Sequence, residues 1–158
     1  RLLENGVVLS GLFGLLRPDD LIPNYQLGMD AELPDIGPVA EYWRPIISPM
    51  LNDSLEGRWV WDMLPDVHRG AWTDEHTYQA RVEVEFERVE DGERVPITGE
   101  DLEVQRGQFV NFIVQETAEE MDDLREWAEE ESDELAFDEA ASTYDEDTKT
   151  WTVVMVQE

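Results

Sequence analysis

Between Tyr78 and Ile97 the apolar residues Val82, Val84 and Phe86 alternate with Glu83, Glu85 and Glu87, and Asp91-Gly92 precedes a return segment from Arg94 to Ile97. A period of two places successive side chains on opposite faces of a strand, so this stretch cannot sit as an amphipathic helix. Asp-Gly supplies the positive backbone angles that a tight hairpin demands. The segment therefore predicts a half-solvated antiparallel hairpin, and the rest of the chain must provide a layer to cover its apolar face.

Other segments supply that layer. Val7 to Ser10 predicts a short buried strand closed by Gly11, after which Gly11 to Pro18 turns away. From Gly37-Pro38-Val39 onward, Tyr42, Trp43, Ile46, Ile47, Met50 and Leu51 recur at three and four residues and predict a helix. Pro45 and Pro49 interrupt it, and an interior proline costs ~3 kcal/mol unless the helix bends, so a kinked helix or two short ones are expected. Arg58 to Leu64 predicts a second buried strand, ended by Pro65 before a loop through His68 and Trp72.

Thr98 and Asp101 resemble a capping box, and Val110, Ile113, Val114, Met121, Leu124 and Ala128 keep helical spacing to about Glu130. One long helix or a broken pair is expected there, its acidic residues forming mainly a solvated face. Phe137 to Tyr144 and Trp151 to Val156 flank a polar turn and predict a closing antiparallel pair. The sum is an α+β fold, a mixed or antiparallel sheet with flanking helices. A length of 158 residues suits one domain.

Composition enters through charge. The chain carries 39 acidic residues against 11 basic ones, of which only Lys149 is a lysine, for a formal charge of −28. Apolar content of 41% with six Trp supports a packed core and argues against a disordered acidic tail. In ordinary salt such like charge repels itself, whereas molar salt shortens the Debye length to roughly 3 Å. Acids spread through nearly every segment thus fit a salt-rich cytoplasm better than a nucleic-acid mimic with one charged face. No cysteine is present, which removes disulfides, thiolate metal sites and cysteine nucleophiles. No apolar run approaches the ~20 residues of a membrane-spanning helix. The chain begins inside what reads as the end of a helix, so the natural N-terminus is expected to lie upstream.

Leu9-Ser10-Gly11-Leu12-Phe13-Gly14-Leu15-Leu16-Arg17-Pro18, with Asp20, Leu21, Tyr25, Leu27 and Met29, resembles the signature of the YaaA peroxide-stress family. Weaker agreement runs through Tyr42-Trp43, Leu51, the strand before Asp62, Arg106-Gly107, Phe112-Ile113 and Tyr144-Asp145-Glu146-Asp147. The resemblance covers almost the whole chain, as a single domain at 1–158 corresponding to the C-terminal two-thirds of the family's. It implies a cytoplasmic YaaA-like protein that protects DNA from peroxide, limits free iron and binds DNA through a positively charged cleft, with no settled enzymatic activity and no cofactor. Several family residues are replaced. The family's Tyr-Arg-Leu is Tyr25-Gln26-Leu27, its Asn-Leu-Ala-Ser-x-Glu-Tyr aligns on Asp62 to His68, and of its Lys-Lys-Ala-Arg-Gly only Arg106-Gly107 keeps the cation.

Ser10, Arg17, Asp20 and Tyr25, framed by Gly11 and Gly14, form a compact polar group. Glycines admit backbone amides close to an anion, and a guanidinium offers a forked donor pair to phosphate. The group, with Arg106 and Gly107, is the candidate site for DNA or a nucleotide-like ligand; the alternative is that Arg17 and Asp20 pair and pin the loop. An enzyme acting on a nucleotide or nucleobase, with Asp20 as general acid or base, is a second reading. An acidic, non-catalytic interaction module is a third. His68 and His76 match no helical metal-binding pair, and no metal site is assigned. Trp59, Trp61 and Trp72 are assigned to cores rather than to base stacking. Nucleic-acid binding by so acidic a chain would need a local arginine cluster, for which Arg17, Arg69 and Arg106 are the candidates.

Overall fold

A computed structural model describes residues 2–130 and 135–157. The chain divides into two compact units, one formed by Arg1–Glu56 with Leu64–Thr77 and the other by Gly57–Met63 with Tyr78–Glu158. Helices accompany a mixed sheet, so the fold is α+β. Among the described residues no helix is long and apolar enough to cross a membrane.

The first unit begins with α1 (Leu2–Asn5) and a small hairpin of β1 (Val8–Ser10) and β2 (Gly14–Leu16), paired antiparallel with Ser10 opposite Gly14. This corrects the expected buried strand. Val7 and Val8 are about half exposed, and the segment after Gly11 folds straight back instead of turning away. A second small hairpin, β3 (Glu32–Leu33) with β4 (Gly37–Pro38), leads into α2 (Val39–Leu55). That helix is one element that carries both Pro45 and Pro49 inside it. Each proline leaves the carbonyl four residues back without its usual N–H. Ser48 Oγ donates to the Arg44 carbonyl at 2.6 Å, in the middle of the proline-interrupted stretch. Val39, Ile47 and Leu51 face inward on Met29 and Ala71, with Trp43, Leu27 and Trp72 around them. Where a loop was expected after Pro65, Asp66–Arg69 forms a short helix, α3.

The second unit is built on a five-stranded sheet. Its members are β5 (Trp59–Asp62), β6 (Ala80–Glu90), β7 (Glu93–Pro96), β8 (Leu135–Asp145) and β9 (Thr150–Gln157). The predicted hairpin is present, and Asp91 and Gly92 both adopt positive φ (52° and 85°) as its turn requires. Yet β7 covers only the far end of β6. At its start β6 is parallel to β5, which pairs with residues 80–83, and along residues 81–88 it is parallel to β9. The closing antiparallel pair of β8 and β9 is as expected, with an irregularity between Asp138 and Thr143.

The helical region is a broken pair, α4 (Gly99–Gln115) and α5 (Met121–Glu130), separated where Thr117 takes a φ of 61°. Thr98 occupies the N-cap position, but its side chain makes no cap bond and Asp101 pairs with Arg88 at 2.9 Å. The capping box is therefore not formed. Val82, Phe86, Val153 and Met155 supply the sheet face, and Phe109, Phe112 and Leu124 the helical layer. Residues 131–134, part of the acidic stretch, lie outside the described residues.

Candidate functional site

The polar group at the front of the chain is assembled in the first unit. Ser10 is buried, and its hydroxyl lies 2.6 Å from the Tyr25 hydroxyl while accepting the N–H groups of Leu12 (3.3 Å) and Phe13 (3.0 Å). Ser10 thus ties the hairpin turn to the Tyr25 segment, and Phe13 stacks edge-on against Tyr25. The glycines have a packing role. A Cβ on Gly11 would lie 2.4 Å from the Leu27 carbonyl oxygen, and one on Gly14, whose φ is 75°, would strike the Trp43 ring at 2.7 Å. Trp43 Nε1 donates to the Gly11 carbonyl at 2.8 Å, which fixes the turn on α2.

Arg17 and Asp20 do not form the ion pair of the alternative reading. Asp20 accepts the backbone N–H of Arg17 at 2.8 Å, and the Arg17 guanidinium lies 3.4 Å from Asp19 and donates weakly to the Leu3 carbonyl. With its side chain 66% exposed, Arg17 remains open to solvent. Arg106 and Gly107 sit on α4 in the other unit, where Arg106 pairs with Glu103 at 2.9 Å. Arg69, in the first unit with Arg17, pairs with Asp66 at 3.4 Å.

Trp59 and Trp61 pack against the core of the second unit and Trp72 against that of the first, in line with a core role. Of the two histidines, His76 turns to Asp74 at 3.3 Å. His68 leaves a buried Nδ1 without a hydrogen bond, and burial pushes its pKa below the ordinary value although Asp30 works in the opposite direction. Among the described residues no three His, Asp or Glu side chains are grouped to hold a metal ion.

Two polar clusters were not visible in the sequence pattern. In the second unit, Arg81 reaches Glu83 at 2.9 Å and Asp62 at 3.9 Å, and its guanidinium lies over the Tyr78 ring at 5.8 Å. Asp62 and Arg81 are largely buried, so the face of β6 that reads as solvated is partly an internal charge cluster. The parallel register that sets Asp62 beside Glu83 is the cause, and alternation alone carries no sign of it. In the first unit, Asn52 of α2 is buried and binds the 72–77 segment from several sides. Its amide donates to the Thr73 carbonyl (2.9 Å), its oxygen accepts from Trp72 Nε1 (2.8 Å), and its backbone carbonyl accepts from the Thr77 hydroxyl (2.8 Å). Ser48 adds an acceptor for the Thr73 N–H at 2.8 Å. Beside this junction an open hollow of about 520 Å³ is lined by Glu41, Arg44, Pro45, Ser48 and Thr73.

A family model described as peroxide stress protein YaaA matches residues 1–141. The chain is 26% identical over 125 residues to a UPF0246 protein of Rickettsia bellii, covering 77% of this chain and 50% of the relative. A UPF0246 protein of Flavobacterium johnsoniae is 29% identical over 121 residues, with 75% and 48% covered. Over a shorter span of 58 residues, a UPF0246 protein of Neisseria meningitidis serogroup B is 47% identical, covering 35% of this chain and 22% of that one. The chain spans about half the length of the first two relatives.

Proposed function

The chain belongs to the peroxide stress protein YaaA family, and from that membership we propose that it acts in the peroxide response by binding DNA or a nucleotide-like ligand. The binding region is the Ser10–Tyr25 loop of the first unit, in a cytoplasm of high salt; Arg106-Gly107 of α4, in the other unit, is a candidate contact by itself. The observation that carries this reading is the state of the loop. Ser10, Tyr25, Asp20 and both glycines are engaged in holding its shape, which leaves the exposed Arg17 guanidinium as its cationic donor. A held loop presenting one guanidinium suits a phosphate oxygen, because little side-chain freedom outside Arg17 is lost on binding. Limitation of free iron belongs to the same proposal.

Binding is favoured over catalysis by the setting of Asp20. Its carboxylate is exposed and accepts a backbone N–H within its own turn, the arrangement of a loop cap rather than of an isolated acid in a pocket.

Titration of short single-stranded and duplex DNA and of a mononucleotide in molar KCl tests the reading. Saturable binding that weakens about tenfold in Arg17→Ala is expected for a charge-assisted contact. Binding indifferent to Arg17, or none to any of these probes, would overturn it.

A further inference from the structure

In a chain this acidic an arginine without a carboxylate is unusual, and Arg44 is one. The other described arginines, Arg58 apart, each have an Asp or Glu oxygen within ion-pair reach. Arg44 instead donates from Nε to the Gly70 carbonyl at 2.6 Å. Among the described residues neither of its two Nη groups has a partner, and both belong to a side chain lining the hollow beside α2. The Nε bond tethers the exposed Arg44 guanidinium along one edge and leaves the opposite edge of the fork open.

Thr73 is held in the same way. Its N–H goes to Ser48 Oγ and its carbonyl accepts from Asn52, both of them buried side chains, while among the described residues no hydrogen bond occupies its hydroxyl. Asp74, the next residue and a potential competitor, directs its carboxylate to His76. The lining of the hollow therefore includes Arg44 with two unbonded Nη groups, Thr73 with an unbonded hydroxyl, and Glu41 as the opposing charge.

We propose that this hollow is a binding site for a small phosphorylated ligand, with the Arg44 Nη groups and the Thr73 hydroxyl as donors to one terminal phosphate. A phosphate presents the paired oxygens that a planar guanidinium meets with two parallel bonds. The open shape admits the remainder of the ligand. A nucleic-acid strand fits poorly, since a single fork beside Glu41 on a chain of charge −28 does not offset backbone repulsion. This site is separate from the Ser10–Tyr25 loop and does not rest on the reading given to that loop.

Inorganic phosphate, adenosine 5′-monophosphate and acetate are titrated into the 15N-labelled chain, at the lowest KCl concentration that keeps it folded, while amide shifts are followed by NMR. Saturable shifts at Ser48, Gly70 and Thr73 are expected with both phosphates and not with acetate. Glu41→Gln is expected to tighten phosphate binding about threefold by removing a like charge. Arg44→Ala is expected to weaken it at least about tenfold. Because Arg44→Ala also breaks the bond to Gly70, Thr73→Val serves as the variant that leaves Arg44 in place, and it too should weaken binding. Shifts that persist in Arg44→Ala, a Glu41→Gln variant that binds no better, or acetate acting as well as phosphate would each overturn the proposal. Shifts confined to the Ser10–Tyr25 segment would overturn it while supporting the loop as the site.

Discussion

Gly14 shows how a residue can look like ligand chemistry and serve packing. Its φ of 75° lies in the left-handed region, and an added Cβ would overlap the Trp43 ring. Gly92 has a similar φ of 85° with nothing near the added atom. Gly92→Ala should therefore cost only the backbone strain of ~1 kcal/mol, whereas Gly14→Ala adds the clash and should cost about 2–4 kcal/mol. Thermal unfolding of the two variants followed by circular dichroism checks the difference; equal losses would mean that Trp43 gives way freely. The same distinction applies to the cations. Motif and charge single out Arg17, Arg69 and Arg106, yet each meets an acid close by in sequence, while Arg44 is not named by any motif and lines a hollow.

Among the elements, α4 is legible as a helix but not in its start or its inward face: Phe109 and Phe112 are buried, whereas Val110, Ile113 and Val114 of the expected stripe are only partly so. Phe109 is fully buried and touches the rings of Trp61, Phe86, Phe112 and Trp127. Phe109→Ala should cost about 3–5 kcal/mol, the range for deleting a core aromatic ring. Thr98→Ala, which removes a cap side chain that makes no cap bond, should fall well short of the ~1 kcal/mol of a working cap. Denaturant titration of both variants in concentrated KCl measures the contrast. The apolar period points to α2 as well, but leaves open whether it stays one element through Pro45 and Pro49 or divides there. Packing of Val39, Ile47 and Leu51 into one core keeps the two ends in a single element despite the missing N–H groups.

For the whole molecule, charge dominates. Ion pairs such as those of Arg88, Arg94 and Arg125 engage only a small part of 39 acidic residues. The remaining like charge opposes compaction until salt screens it. Melting temperature should rise steeply as KCl increases from about 0.1 M, where the Debye length is ~10 Å, toward 1 M, where it is ~3 Å. A melting temperature independent of salt over that range would show that self-repulsion does not limit stability, and would remove the physical basis for a high-salt setting.

By itself the sequence determined whatever depends on neighbours along the chain. The alternation of Val82, Val84 and Phe86, the Asp91-Gly92 turn, the helical periods of α2 and α4, and the family signature from Leu9 to Met29 are all patterns of short range; which side of each helix is covered is not, since Tyr42, Ile46 and Met50 of the expected α2 stripe are exposed. Only the tertiary structure decided which strands flank β6, that Arg81 is drawn into a buried cluster with Asp62, and that Asn52 and Ser48 hold Thr73 beside Arg44. The reason is that periodicity fixes which face a side chain occupies, whereas parallel pairing and contacts across 20 or more residues depend on how separate segments meet, and no local spacing records that.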